Sequence, residues 1–298
     1  MSAIENRYEF VMLFDVENGN PNGDPDAGNL PRVDAETAHG IVTDVCLKRK
    51  IRNFVDIYKN DESGYKILIK SDRSLNSKFT DAYKELGLTP GKNNKQPSND
   101  IQLEAQKYIC ENYYDVRTFG AVMSVGKESD GNVPCGTVRG PVQINFARSI
   151  DPVFEKSITI TRQAITTEAD FNDKGKRTEM GKKHYVPYGL YRAEGYVSAM
   201  LAQKVTGFSE DDLELLWTAI INMFEHDRSA ARGKMCMRKL YVFKHLNALG
   251  NCPAHILTDK ISCTFTPTDD KRVPRSFSDY VITVDRNMPE GVELIEKL

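Results

Sequence analysis

No run of the roughly 18 apolar residues needed to cross a bilayer occurs in this chain of 298 residues. The first residues, Met1-Ser2-Ala3-Ile4-Glu5-Asn6-Arg7, lack the basic-then-apolar order of a secretory signal. The expected location is therefore cytoplasmic, with no membrane partner. Cysteine is sparse: six residues at 46, 110, 135, 236, 252 and 263, with no CxxC pair, which predicts free thiols. Neither sign of charge dominates, since 40 Lys and Arg stand against 42 Asp and Glu, a formal net of −2. That excludes indiscriminate nucleic-acid binding through bulk charge. It leaves room for a local basic groove, because contacts act within a Debye length of about 8–10 Å. There is one Trp, no internal repeat and no low-complexity tract.

Catalytic signatures are missing as well. No Walker loop, GxGxxG or GxSxG is present, so nucleotide hydrolysis and acyl transfer have no support. Asn18-x-Asn20-x-Asn22-Gly23 imitates a calcium loop, but Asn stands first and Asn29 stands where the bidentate Glu is needed. Among Cys236, His245, Cys252, His255 and Cys263, only Cys252 and His255 are closely spaced, whereas zinc ligands usually come as two close pairs. No metal and no cofactor are expected. His184, beside Tyr185, Lys182 and Lys183, offers the base and cation of a metal-independent endoribonuclease, the alternative reading. His226-Asp227 are adjacent, and on a helix they would point about 100° apart.

What is present begins at Tyr8. Tyr8-Glu9-Phe10-Val11-Met12-Leu13-Phe14-Asp15 alternates as a strand. Asn18 to Asp26 is a loop holding Pro21, Pro25, Gly19 and Gly23. A helix is expected over about 37–58, with Leu47, Ile51, Phe54, Val55 and Tyr58 on one side. Lys48, Arg49 and Arg52 fall together beside that stripe, and Lys50 falls elsewhere. Residues 65–70 read as a second strand. The polar region 71–115 reads as an insertion with weak helices near 79–86 and 101–114 around a loop at 89–99. Phe119-Gly120 joins a flat ring to a residue that lets backbone approach, a pairing suited to base stacking and phosphate contact; a strand-end turn over a core Phe explains it equally well. Residues 157–167 and 185–188 bracket a charged tip, a protruding hairpin with basic residues. Ser209 and the acids after it start a helix whose face is Leu213, Leu216, Trp217, Ile220, Ile221 and Phe224. Arg228 and Arg232, four apart on small residues, suit a phosphate or a neighbouring chain. Strands are expected near 189–201, 240–245, 260–265 and 280–284. The order is βαββαβ with a long central connection, so the expected fold is α+β with a ferredoxin-like sheet.

Several longer segments resemble one family in order. They are Asn20-Pro21-Asn22-Gly23-Asp24-Pro25-Asp26, Pro31-Arg32-Val33-Asp34, Thr43 to Arg52, Asp115 to Ala121, Val138-Arg139-Gly140-Pro141-Val142-Gln143, Val186 to Arg192, and Met223 to Gly233. Together they resemble the backbone subunit of the type I-C CRISPR Cascade complex, a crRNA-binding member of the RAMP superfamily. The resemblance weakens over 71–112 and after about 258. It implies an RRM-like palm (1–70 and 186–298), a helical fingers insertion (71–149) and a β-hairpin thumb (150–185). It implies a non-catalytic subunit stacked head to tail with its own copies along crRNA, largely independent of sequence, presenting the guide for pairing with target DNA. Partners would be the other Cascade subunits (a crRNA-processing end subunit, large and small subunits) and a nuclease-helicase recruited by the whole complex. Asn20, Asn22, Gly23, Arg32, Lys48, Arg49, Arg52, Phe119, Gly120, Arg139, Gln143, Arg162, Arg228 and Arg232 are the expected RNA-contacting residues. Asp24, Asp26 and Asp34 are expected to shape turns and hold Arg32.

Overall fold

The structure, a computed structural model, describes residues 2–91, 97–123, 133–172, 177–267 and 273–298. Its organising element is β1 (Tyr8–Gly19). Both parities of this strand are apolar. Tyr8, Phe10, Met12, Phe14 and Val16 enter one core, and Val11 and Leu13 enter another. A strand buried on both faces must be central. β1 is hydrogen-bonded on one side to β6 (Glu179–Val197) and on the other to β7 (Lys234–His245), both antiparallel. Beyond β6 lie β4 (Ala147–Pro152) and β2 (His39–Val42), and beyond β7 lies β8 (Val292–Glu296). Two further strands, β3 (Val142–Ile144) and β5 (Lys156–Arg162), also pair with β6.

Two helices cover one face. α1 (Asp44–Lys59) contributes Leu47, Ile51, Phe54 and Val55, and α2 (Glu210–Asn222) contributes Leu213, Leu216, Trp217 and Ile220. Trp217 meets Phe10 edge-on at 5.2 Å between ring centroids. The opposite face is sealed by Leu257, Ile261 and Tyr280, from the short helix Ala254–Thr258 and the hairpin strands Ile261–Phe265 and Tyr280–Val284. α2 starts as expected: Ser209 and Asp212 form a reciprocal capping box.

The chain order strand, helix, strand, strand, helix, strand is present, but its second strand is not 65–70. There only a single bridge, Lys66 to Tyr113, forms. The N–H groups of Leu68 and Ile69 go to the Asp115 carboxylate instead, at 2.8 and 3.1 Å. Strands β3 and β4 take that place. The first helix begins later than expected, because 39–42 pair with β4 and Thr43 caps α1 by accepting from the Cys46 N–H. Tyr58, assigned to the apolar face, is exposed and stacks on Phe54. The run 189–201 is the end of a 19-residue strand followed by a helical turn at Ala199–Leu201.

The insertion is more than polar surface. Helices Leu75–Glu85, Asn99–Asn112 and Tyr114–Phe119 enclose a third apolar cluster around Phe79, Tyr83, Ile109, Val116 and Val138. Buried ion pairs tie it to the main body: Arg52 to Asp115 at 2.8 Å, and Arg117 to Asp212 at 2.7 Å. It stops before β3, so residues 142–149 belong to the large sheet and not to the insertion. β5 and the first part of β6 form a two-stranded ribbon from Lys156–Tyr185 to Arg162–Glu179, with every β5 residue exposed. The basic tip at 173–176 and loop residues 92–96 lie outside the described residues. No described helix is long and apolar enough to cross a membrane.

Candidate nucleic-acid interface

The loop after β1 is built by its own side chains. Asn22 Oδ1 accepts from the Thr43 N–H and hydroxyl at 3.0 and 2.9 Å, tying the loop to the start of α1. Asn20 donates through Nδ2 to the Asn29 carbonyl at 2.8 Å, and its N–H donates to the Ala231 carbonyl. These Asn groups are spent on scaffolding. Asp24 accepts from the Asp26 N–H and pairs with Arg32 at 3.3 Å. Asp34 accepts from the N–H groups of Glu36 and Thr37 and pairs with Arg148. Backbones cross closely here: a Cβ on Gly19 would lie 1.9 Å from the Arg232 carbonyl oxygen, so only glycine fits.

That crossing brings three distant segments together. Asn20, Pro21, Asn22, Gly23 and Asn29 from the loop, Cys46, Arg49 and Lys50 from α1, and Asp227, Ser229, Ala231 and Arg232 line a cleft of about 240 Å³. Three cations face one carboxylate. Asp227 accepts from Lys50 and pairs with Arg232 at 3.0 Å. Arg49 has no carboxylate partner among the described residues; its guanidinium donates to the Ile69 carbonyl at 2.6 Å. Burial, then the neighbouring Arg52, lowers its proton affinity below the ordinary guanidinium value. Burial also pushes the Cys46 thiol up. Asn20 Oδ1 and Arg32 Nε are buried and have no hydrogen-bond partner among the described residues.

A second group lies further along α1. Lys48 reaches Asp44 at 3.0 Å and Gln143 at 3.3 Å, and Lys48 and Arg52 both sit over the Phe119 ring. Phe119 is 6% exposed, so it is a core ring and its stacking on a base is corrected: the two cations already cover it. Gly120 has φ +78 and a Cβ there would fall 2.3 Å from the Val138 carbonyl, so its space is filled by protein backbone, not left for phosphate. Arg52 is also buried, its Nε on Asp115, which corrects its assignment to a phosphate: leaving that carboxylate unpaired would be costly.

The remaining expected residues scatter. Arg139 is exposed on the strand beside Gly120. Arg162 pairs with Glu179 on the ribbon, and Arg228 pairs with Glu225. Arg228 and Arg232 share no helical face, because α2 ends at Asn222 and both lie in the loop that follows. Sequence reading missed the Lys50–Asp227–Arg232 contact; Lys50 stood in the cationic run, but nothing local showed that Asp227 would face it. Of the catalytic candidates, His184 Nδ1 lies 2.6 Å from the Ser157 hydroxyl, and the His226 ring tilts against Phe54. Asp227 is engaged by cations, not by His226. Among the described residues no group of three or more His, Cys, Asp or Glu could hold a metal ion.

The class defined here is α+β: one large antiparallel sheet, two helices on one face, and a cationic cleft where the central strand ends. The chain belongs to the family described as CRISPR-associated protein Cas7, whose model matches residues 6–285. A relative from Haloferax volcanii (strain DS2), itself described as CRISPR-associated protein Cas7, is 27% identical over 253 residues, 80% of this chain and 69% of the relative. Among solved structures, a chain of a "CRISPR RNA-guided surveillance complex, pre-nicking" is 15% identical with TM-score 0.46, covering 80% of this chain and 78% of that one. A chain of a second "CRISPR RNA-guided surveillance complex" is 13% identical with TM-score 0.42, covering 78% of this chain and 68% of that one.

Proposed function

We propose that this protein is a non-catalytic backbone subunit of a CRISPR surveillance complex, of the type I-C kind its sequence resembles. It holds crRNA by its backbone. The observation that carries the reading is the cleft between the 20–29 loop, α1 and the 227–232 loop, with Arg49 and Arg232 at its surface. Family membership supports it. Phosphate contacts position a strand without reading it. That suits a subunit that must accept any spacer and leave recognition of target DNA to base pairing. Arg49 and Arg232 are the primary phosphate ligands, Lys48, Gln143 and Arg139 line the continuing path, and Arg32 is a further donor. Lys50 holds Asp227 in place.

On this reading the large sheet is an RRM-like palm of the ferredoxin-like kind, the apolar cluster of the insertion forms the fingers, and the β5–β6 ribbon is the thumb. The palm and fingers meet near residue 140. Copies stack head to tail in the cytoplasm, a heterologous arrangement that other Cascade subunits must terminate; the assembled complex recruits the nuclease-helicase. A net charge of −2 favours such packing, because strongly basic copies would repel one another.

The test is Arg49→Ala combined with Arg232→Ala, expressed with a guide RNA. Less RNA co-purifies, and the slope of log binding constant against log salt falls by about 1.4, roughly 0.7 for each lost phosphate contact on a single strand. Normal guide retention with an unchanged slope overturns the assignment.

A further inference from the structure

The sheet face opposite α1 and α2 is not sealed along its whole width. Leu257, Ile261 and Tyr280 close it over β1 and β7. At the β4 side a groove of about 500 Å³ stays open, lined by Asn145, Phe146, Arg148, Ser149, Ile150, Arg192, Glu194, Ser262 and Cys263. The crRNA cleft shares none of these residues.

Register makes this groove specific. In β4 the side chains of Ala147 and Ser149 are buried, whereas Arg148 is exposed, and Phe146 just ahead of it is exposed too. Phe146 lies in the two-residue break between β3 and β4, where the register against β6 shifts by one residue, and both it and Arg148 line the groove. Phe146 is 55% exposed, although its neighbours are fixed: the Asn145 N–H donates to the Glu194 carbonyl, and Arg148 is registered opposite Arg192 on β6. The exposed ring is flanked by segments paired to β6 on both sides, β3 before it and β4 after it. Arg192 is locked beneath it, donating to the Ile261 and Thr258 carbonyls and pairing with Glu194 at 2.9 Å. Among the described residues Arg148 is held only by Asp34, at 3.0 Å, and its side chain is 60% exposed. An ion pair that exposed contributes little, so a phosphate can exchange for the carboxylate.

We infer that this groove is a second binding site, for a single-stranded polynucleotide other than the strand in the cleft, with a base stacked on Phe146 and a phosphate on Arg148. Of the two guanidinium groups in the lining, Arg192 is committed to Glu194 and two carbonyls, and Arg148 is the one that can exchange its carboxylate partner for a polyanion. An exposed ring beside an exchangeable cation is the pairing by which proteins hold single strands without reading sequence. Asn145 and Ser262 add neutral hydrogen-bonding groups at the rim. The inference stands on the groove itself and does not require that the cleft binds crRNA.

The test separates the two sites with four full-length proteins: the natural chain, the cleft variant Arg49→Ala with Arg232→Ala, the groove variant Phe146→Ala with Arg148→Ala, and all four changes together. A fluorescein-labelled single-stranded oligonucleotide is titrated and followed by anisotropy. Residual binding in the cleft variant is expected to fall about ten-fold or more when the groove changes are added, in line with about 1–3 kcal/mol for each stacked base. Both groove side chains are exposed, so folding is expected to hold, and circular dichroism checks it. Equal affinity of the cleft and fourfold variants overturns the inference. So does loss of co-purifying guide RNA in the groove variant, which would put the groove on the guide's own path. A groove variant that changes only self-association, with oligonucleotide affinity intact, makes it a protein contact and overturns the inference as well.

Discussion

Lys48, Arg49, Lys50 and Arg52 occupy neighbouring positions on one helix and divide among three roles. Arg49 lines the cleft and has no carboxylate partner among the described residues. Lys48 is shared between Asp44 and Gln143. Lys50 and Arg52 are buried on Asp227 and Asp115. Opposite mutational signatures are therefore expected. Arg52→Ala leaves Asp115 buried without its cation and destabilises by about 3 kcal/mol, the low end for a broken buried pair because two N–H donors remain. Arg49→Ala leaves stability within about 0.5 kcal/mol and weakens RNA retention. Urea unfolding of both proteins beside RNA co-purification checks the pair; equal destabilisation would refute the division. Cysteines sort as cleanly. Burial pushes the Cys110 thiol up to about 11 and Cys135 up to about 12. Since the thiolate is the nucleophile, a raised value means a smaller reactive fraction, on the order of a thousandth or less at pH 8. Iodoacetamide mapping at that pH is expected to modify half-exposed Cys252 and leave Cys110 and Cys135 intact until the native fold opens.

At the scale of elements, the β5–β6 ribbon and the close glycine crossings behave oppositely. The ribbon buries almost nothing, since all of β5 and the start of β6 are exposed, including Ile158, Ile160 and Met180. Replacing 157–184 by a short turn is expected to leave thermal unfolding of the remaining chain within a few degrees of the natural midpoint, while RNA-dependent oligomers are lost. A large fall in midpoint would show the ribbon to be part of the core. Gly120→Ala touches one atom and costs more. It forces a Cβ onto the Val138 carbonyl at a positive φ, and about 2–3 kcal/mol of destabilisation is expected in equilibrium denaturation. The same crossing explains why Phe119-Gly120 was ambiguous from sequence. The pair looks alike whether the glycine admits a ligand or a neighbouring strand, and only the partner's position decides.

For the whole molecule, the apolar cluster of the insertion is coupled to the core under α1 and α2 through Arg117 and Asp212. Arg117 donates to both carboxylate oxygens of Asp212 and to three carbonyls, while Asp212 also caps α2. Asp212→Ala removes the cap and strands a buried guanidinium. Trp217 fluorescence, which reports the sheet, and far-UV circular dichroism, which also reports the insertion helices, should then give non-coincident unfolding curves where the natural protein gives one. The sequence by itself determined the elements whose signals are local. β1 follows from a short apolar run closed by turn residues and α2 from period-3.6 patterning, the Ser209 cap and the 18–34 turns from Asn, Asp, Gly and Pro chemistry, and the order of strands and helices from their succession. It also carried the family, because several long segments match in order. Only the tertiary structure decided which cation has no carboxylate partner among the described residues, that residues 65–70 give up strand pairing to Asp115, that 142–144 and 147–152 join the sheet, and that the cleft is completed by Asp227 and Arg232. Those outcomes depend on which groups meet across long stretches of chain. Charge pairing and burial are properties of the meeting, and neither partner's local sequence contains the other's position.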